Sequence, residues 1–317
     1  MFKRNFVPII VLLLICFFII KPDTVSEGAF NGLKIWVNNI VPYLFPMSVM
    51  SNILLQYNFL YTLFEKISFV SKKILKTNYG LIPFFISFVS GYPSGAMTVN
   101  TMAGYKRISE KEANYLTIFA NDCSFQFIAG AVSFSMLGDF HFYKYIAFPH
   151  LIGAVVLSFL IVHKESPSNS SKSVKLKSVL FHNAFSAAIY KSVTGILSVG
   201  GVIIIFSVFS SFLNATLSSA ANILSLSTNI KDIIYSLLVG SLEITNGCSI
   251  ISSSLFVPLQ TKLIIINFLI SFSGMSVIFQ TIAVINEFDF DIKNYIFYKF
   301  IHGVISVLLC IVMFSVI

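Results

Sequence analysis

The stretch Gly91–Asn100 reads GYPSGAMTVN. It sits inside an apolar run, Thr77–Tyr105, that carries no charged residue. A bilayer span needs about 20 apolar residues, so the run is long enough to cross, yet two glycines and a proline interrupt it. An unbroken helix satisfies its own backbone. A break frees N–H groups and exposes the positive end of a half-helix, which suits an anion. In lipid the freed groups are costly unless protein, water or ligand meets them. Gly91 and Gly95 permit a turn and a close backbone approach, and Pro93 removes a donor and stops a helix. Ser94, Thr98 and Asn100 add short hydrogen-bonding side chains. Such a break is read either as a kink in a packed helix or as the wall of a binding site.

The rest of the chain places this segment in a membrane. Hydrophobic residues make up 56% of it and charged residues 11%, and its mean hydropathy is +0.86. A soluble surface needs far more charge, so the expected fold class is an all-α polytopic membrane protein. The net charge of +8 comes from short basic clusters between apolar runs, as in cytoplasmic loops, and not from a nucleic-acid-binding face. The basic head and apolar run of Phe6–Ile20 resemble a signal peptide. No small-x-small cleavage site follows, so an uncleaved first helix is expected. Four scattered cysteines read as small hydrophobes, with no disulfide or zinc-ligand spacing.

Lysine and arginine bias then orients the segments. Lys3 and Arg4 put the N-terminus inside, and the lysines of Ser71–Lys76 put that loop inside too. Three ordinary spans from there would send the basic linker containing Lys172, Lys175 and Lys177 outside. A segment that dips in and returns at Gly91–Gly95 keeps Lys106, Arg107 and the linker inside. The expected organisation is an N-terminal helix and external loop (1–30), a first repeat (31–163), a cytoplasmic basic linker (164–178) and a second repeat (179–317). The repeats align weakly at an offset of 152 residues, which sets Gly95 on Gly247 and Asp122 on Gly274. The helices after Trp36 and after Tyr190 correspond at this offset and run in opposite directions. An inverted repeat with broken helices or re-entrant hairpins in matching positions is the pattern of a secondary transporter.

Two carboxylates lie well inside charge-poor runs, Asp122 in FANDCSFQF and Glu243 in GSLEITNG. Each has to be protonated, paired or water-exposed. One reading is a neutral interhelical hydrogen bond; the other is proton or cation coupling, or direct substrate contact. Asn121, Ser124 and Gln126 beside the first acid, and Thr245 and Asn246 beside the second, are candidate partners for substrate or carboxylate. Gln280 would face the same cavity if Gly274 breaks its helix. His150 and His302 read as interfacial, Trp36 as an interface anchor, and no lysine or arginine is expected deep in the spans.

These residues carry a resemblance. GYPSGA, SEKEANYLTIFANDCSFQFIAGAVSFSML (Ser109–Leu137), GSLEITNG (Gly240–Gly247) and SFSGMSVIFQTIAV (Ser271–Val284) resemble the YlbJ, or stage V sporulation protein V, family of sporulation integral membrane proteins. That family sits in the nucleoside-recognition Gate superfamily, and the match runs from about Gly32 to Val312. Asp122 departs from the usual pattern, in which an asparagine pair occupies positions 121 and 122, and Ser273 replaces a usual glycine. The resemblance implies a transporter of a small organic anion, dipicolinic acid, moved from the mother cell towards the forespore across the mother-cell-derived outer forespore membrane. The alternatives are a nucleoside- or nucleobase-type carrier and a non-transporting scaffold for spore assembly.

The expected site comprises Gly91, Pro93, Ser94, Gly95, Asn121, Asp122, Ser124, Glu243, Thr245, Asn246, Gly247, Gly274 and Gln280. Its expected partners are a small organic anion, membrane lipid, a coupling proton or cation and, in a homo-oligomer, further copies of the chain. No enzymatic activity, cofactor, metal or nucleic acid is expected. The topology is checked by single-cysteine accessibility in intact cells: Lys106→Cys and Lys175→Cys label from the same side. Labelling from opposite sides rules out the re-entrant segment.

Overall fold

A computed structural model describes residues 2–162, 179–223 and 227–316. The basic linker at 164–178 lies outside the described residues, as do the side chains of Lys3 and Arg4. All regular structure among the described residues is helical. This is an all-α polytopic membrane protein. The stretches Phe140–Ile161, Phe181–Leu213, Leu259–Val284 and Ile292–Ser315 are long and apolar enough to cross a bilayer.

The chain starts with α1 (Phe2–Ile20) and α2 (Pro22–Ile35). Proline at the first turn of α2 loses nothing, because that N–H has no helical partner anyway. A π-helical turn, Trp36–Ile40, leads into α3 (Val41–Leu54). Two short helices come next, α4 (Asn58–Glu65) and α5 (Ser68–Leu75). Beyond them are α6 (Leu81–Ser90) and α7 (Ser94–Gly104), separated by the quoted Gly-Tyr-Pro turn and packed on each other. Their 10 and 11 residues reach about 15 Å each, half the hydrocarbon thickness. Ser109 opens α8 (Glu110–Phe119), its hydroxyl accepting the Glu112 N–H as in a capping box. The strap Ala120–Ser124 is not helical, and beyond it a π-helical segment, Phe127–Met136, leads to α9 (Tyr143–Val162).

Broken helices recur in the second half. The long α10 (Phe181–Ile223) packs on α2 and α3. Trp36 is held in this contact: its ring lies against Gly200 and its Nε1 donates to the Ile196 carbonyl at 3.1 Å. An indole N–H needs a partner when covered, and a carbonyl of the facing helix supplies one. Helices α11 (Thr228–Leu242) and α12 (Ile244–Ser253) break at Glu243 and pack side by side. Helices α13 (Leu259–Phe272) and α14 (Gly274–Val284) break where Ser273 and Gly274 take positive φ of 71° and 65°. The last helix is α15 (Ile292–Val316), which packs on α13 and α9. The α13–α14 stretch is 72% buried and the α15 stretch 28%, so the broken span runs through the interior while α15 borders it.

Two glycines make the half-helix contacts possible. A Cβ on Gly95 would stand 2.0 Å from the Ala120 carbonyl oxygen, and one on Gly247 would stand 2.2 Å from the Gly240 Cα. Both neighbours are backbone and cannot rotate away. Gly95→Ala and Gly247→Ala are therefore expected to cost about 3 kcal/mol or more each, whereas Gly201→Ala, with nothing within 4 Å, stays within about 0.5 kcal/mol. Thermal unfolding of the detergent-solubilised proteins checks the order; equal effects at all three positions would contradict it.

Candidate functional site

The two broken segments border one cavity of about 440 Å³, within the usual range for small-molecule sites. Gly91 and Tyr92 from the α6–α7 turn form part of its wall, with Ser124 and Gln126 from the strap and its continuation. Glu243 and Thr245 come from the α11–α12 break, Gln280 from α14 and Asn38 from the π-helical turn before α3. Apolar side chains such as Leu44, Ile203 and Val277 complete it. Gln280 is oriented by its amide, which donates to Ser276 Oγ at 3.1 Å. Glu243 is the only Asp, Glu, Lys, Arg or His among the described residues that line the cavity.

Glu243 has extended backbone between two helices, and its carboxylate accepts from the N–H groups of Thr245 (3.1 Å) and Asn246 (2.8 Å). It caps α12, where negative charge meets the positive helix end. At the matching end of α7, the Ala96 N–H donates to Asn121 Oδ1 at 3.3 Å and the Ser94 N–H to the Gly91 carbonyl at 2.9 Å. These donors, expected to face an anionic solute, are engaged by the protein itself. The break still builds the cavity, but its walls offer a carboxylate, amides and hydroxyls in place of bare N–H groups.

The remaining candidates support the wall from behind. Pro93 precedes α7, and Ser94 Oγ donates to the Gly91 carbonyl at 2.5 Å. Gly95 and Gly247 are helix contacts, Asn246 contributes its backbone N–H, and Gly274 starts α14. Asn121 ties three elements together: besides α7, its Nδ2 donates to Thr281 Oγ1 of α14 and to the Tyr295 hydroxyl of α15, both at 2.9 Å.

Asp122 lies beside the cavity wall, 1% exposed, and meets a lysine. Lys299 of α15 is fully buried, and its Nζ donates to the Asn121 carbonyl at 2.6 Å and to Asp122 Oδ1 at 3.3 Å. The rings of Tyr92 and Tyr295 lie 5.4 and 6.0 Å from the ammonium, close enough for cation–π attraction. The expectation that no basic residue lies deep in the spans is thus corrected: a buried ammonium is tolerable once paired and hydrogen-bonded. His150 and His302 are also fully buried, not interfacial, and their rings stack at 4.9 Å with 22° between planes. A signal for this existed. Tyr295, Lys299, His302 and Ser306 recur at helical spacing along α15, forming one polar stripe in an apolar helix, and all four are fully buried.

No family model matches the chain, and no solved structure matches it. Among curated proteins, the sporulation integral membrane protein YlbJ of Bacillus subtilis (strain 168) is 27% identical over 314 residues, covering 89% of this chain and 76% of that protein. The chain is homologous to that protein over most of its length.

The ion pair gives a stability prediction. Lys299→Met strands the Asp122 carboxylate without its cation and is expected to cost about 3–5 kcal/mol. The double variant Asp122→Asn/Lys299→Met removes both charges and recovers most of that loss. Thermal unfolding of the purified variants reads the difference; a double variant no better than Lys299→Met would show that the two side chains do not act as a pair.

Proposed function

We propose that the chain is a membrane carrier for a small organic solute that binds in the cavity between the two broken segments. The observation that carries this is the wall itself: a partly open, largely apolar cavity into which Asn38, Ser124, Gln126, Thr245 and Gln280 bring polar groups, with one carboxylate, Glu243, and no facing cation among the described lining residues. Such a wall favours a solute without net negative charge. Hydroxyls of a nucleoside-type solute would donate to Glu243, and the amides of Asn38, Gln126 and Gln280 would serve the polar edges of a base. A scaffold without transport has no use for a polar cavity between helix breaks.

An inverted-repeat carrier architecture is part of this proposal, with repeats over 31–163 and 179–317. Its support is the element order: α6, break and α7 recur as α11, break and α12, and α8 and α9 recur as α13 and α15. His150 and His302, 152 residues apart, stack on each other, as equivalent residues do near a twofold axis. The short paired helices α6–α7 and α11–α12 are then re-entrant hairpins, and alternating access is one repeat moving against the other.

The second reading is delivery of dipicolinate during sporulation. It is favoured by the homology to a protein named for sporulation and by the family resemblance. A dicarboxylate meets Glu243 unfavourably while both are ionised, so this reading requires a protonated solute or a protonated wall, and hence faster uptake at lower pH.

Purified protein in lipid vesicles distinguishes the readings. Saturable uptake of labelled uridine with little pH dependence supports the nucleoside-type solute; uptake of labelled dipicolinate that rises several-fold on acidification supports the second. In either case Glu243→Gln, which keeps the side chain's length and one acceptor, lowers uridine uptake or flattens the dipicolinate pH profile. Wild-type protein that moves neither solute, nor any other small nucleoside or carboxylate, overturns the carrier reading.

A further inference from the structure

Beside the cavity wall lies a second polar site that the carrier reading does not use. Asp122 Oδ2 and His302 Nδ1 are both buried and have no hydrogen-bond partner. They belong to groups that face each other, with His302 Nδ1 at 3.9 Å from Asp122 Oδ1. The tautomer of His302 follows from its other nitrogen: Nε2 is 2.9 Å from the His150 carbonyl, which can only accept, so Nε2 carries the proton and Nδ1 is a bare acceptor. A carboxylate and an imidazole lone pair therefore face one another with no donor between them. Leaving buried acceptors unpaired is costly, and a proton taken up by the pair turns one acceptor into a donor facing the other across a contact of 3.9 Å.

His150 does not compete for that proton. Its Nε2 accepts the Cys123 N–H at 3.1 Å, and its Nδ1, 2.8 Å from Ser271 Oγ, is the donor that continues through Ser271 to Ser306. The same bond argues against a metal. Asp122, His150 and His302 present ligand atoms within 4.8 Å of one another, but the His150 lone pair is taken and the Lys299 ammonium stands 3.3 Å from Asp122 Oδ1. A cation at that point meets a positive charge and finds two ligands, not three.

We propose that Asp122 and His302 form a buried proton-binding site, and that proton uptake there makes the neighbouring cavity receptive to negative charge. The proton comes from water through the cavity, on whose wall Cys123 and Tyr92 stand. It binds at the Asp122–His302 pair, where both unpartnered acceptors lie, so the carboxylate no longer neutralises Lys299. The ammonium then keeps the Asn121 carbonyl and the Tyr92 and Tyr295 rings, and its uncompensated charge acts through Tyr92 on the cavity. Among the described residues the other titratable groups around the site are Cys123, Cys248, Tyr92 and Tyr295, with Lys299 and His150 as described. Thiols and phenols ordinarily lose protons only above about pH 8, which leaves the carboxyl–imidazole pair as the group that takes up a proton on acidification. The effect on solutes rests on the carrier reading; the proton site does not.

Difference infrared spectroscopy on the purified protein in lipid, stepped from about pH 8 to about pH 5, tests the site without transport. Acidification is expected to raise the carbonyl stretch of a neutral carboxylic acid that is absent in Asp122→Asn and retained in Glu243→Gln. His302→Gln places an amide donor against the carboxylate, holds it ionised and lowers the midpoint of that band by about one pH unit or more. If Asp122→Asn does not yield folded protein, the His302→Gln midpoint decides alone. A band that survives Asp122→Asn, a midpoint unchanged in His302→Gln, or no band in wild type overturns the proton site. A band with the expected behaviour in a protein that moves no solute overturns the carrier reading and leaves the site standing.

Discussion

Inside a bilayer, every backbone group released by a broken helix needs a partner from the protein, and the strap Ala120–Ser124 is where these demands converge. Ser87 takes both sides of residue 122, accepting its N–H at 2.5 Å and donating to its carbonyl at 2.9 Å. Lys299 takes the carbonyl of Asn121, and His150 takes the N–H of Cys123. The Asn121 side chain in turn serves the start of α7 and reaches α14 and α15. Five helices are therefore positioned by the hydrogen-bonding needs of one short non-helical segment. Removing any of these partners exposes a buried backbone group, which costs more than the hydrogen bond itself contributed.

Charge in this interior obeys the same demand for partners. Glu243 sits at a helix start, where the backbone offers two N–H groups to its carboxylate. Asp122 has no such helix end and pairs with Lys299 instead. The two acids thus differ in kind: one faces the cavity from a helix cap, the other lies behind the wall in an ion pair flanked by two histidines. On the proposed carrier reading, that division separates a group that touches the solute from one that sets the electrostatics around it.

Much of this was legible in the residues. Gly-Tyr-Pro at 91–93 marks where a helix stops, because glycine and proline disturb the backbone; the second break, expected near Thr245–Gly247, falls at Glu243 instead, where the carboxylate caps the next helix. Gly274 marks a third break, whereas the strap after Phe119 carries no glycine or proline to announce it and emerges only in the structure. The polar residues flanking these breaks, Ser124, Gln126, Thr245 and Gln280, do line the cavity. Three of the half-helix donors expected to be free are taken, that of Ala96 by Asn121 and those of Thr245 and Asn246 by Glu243, and such capping depends on side-chain direction that spacing alone leaves open.

The sequence by itself determined the environment and the punctuation: an apolar, charge-poor chain must lie in a membrane, and its helices must break at particular residues, because both depend on local composition and backbone sterics. Only the tertiary structure decided which remote groups meet at those breaks. Asp122 and Lys299 are 177 residues apart, and His150 and His302 are 152 apart. A buried charge has to find a partner somewhere, but the local pattern states the need without naming the partner. The choice is made by how α9, α15 and the strap pack, and packing is a property of the whole chain.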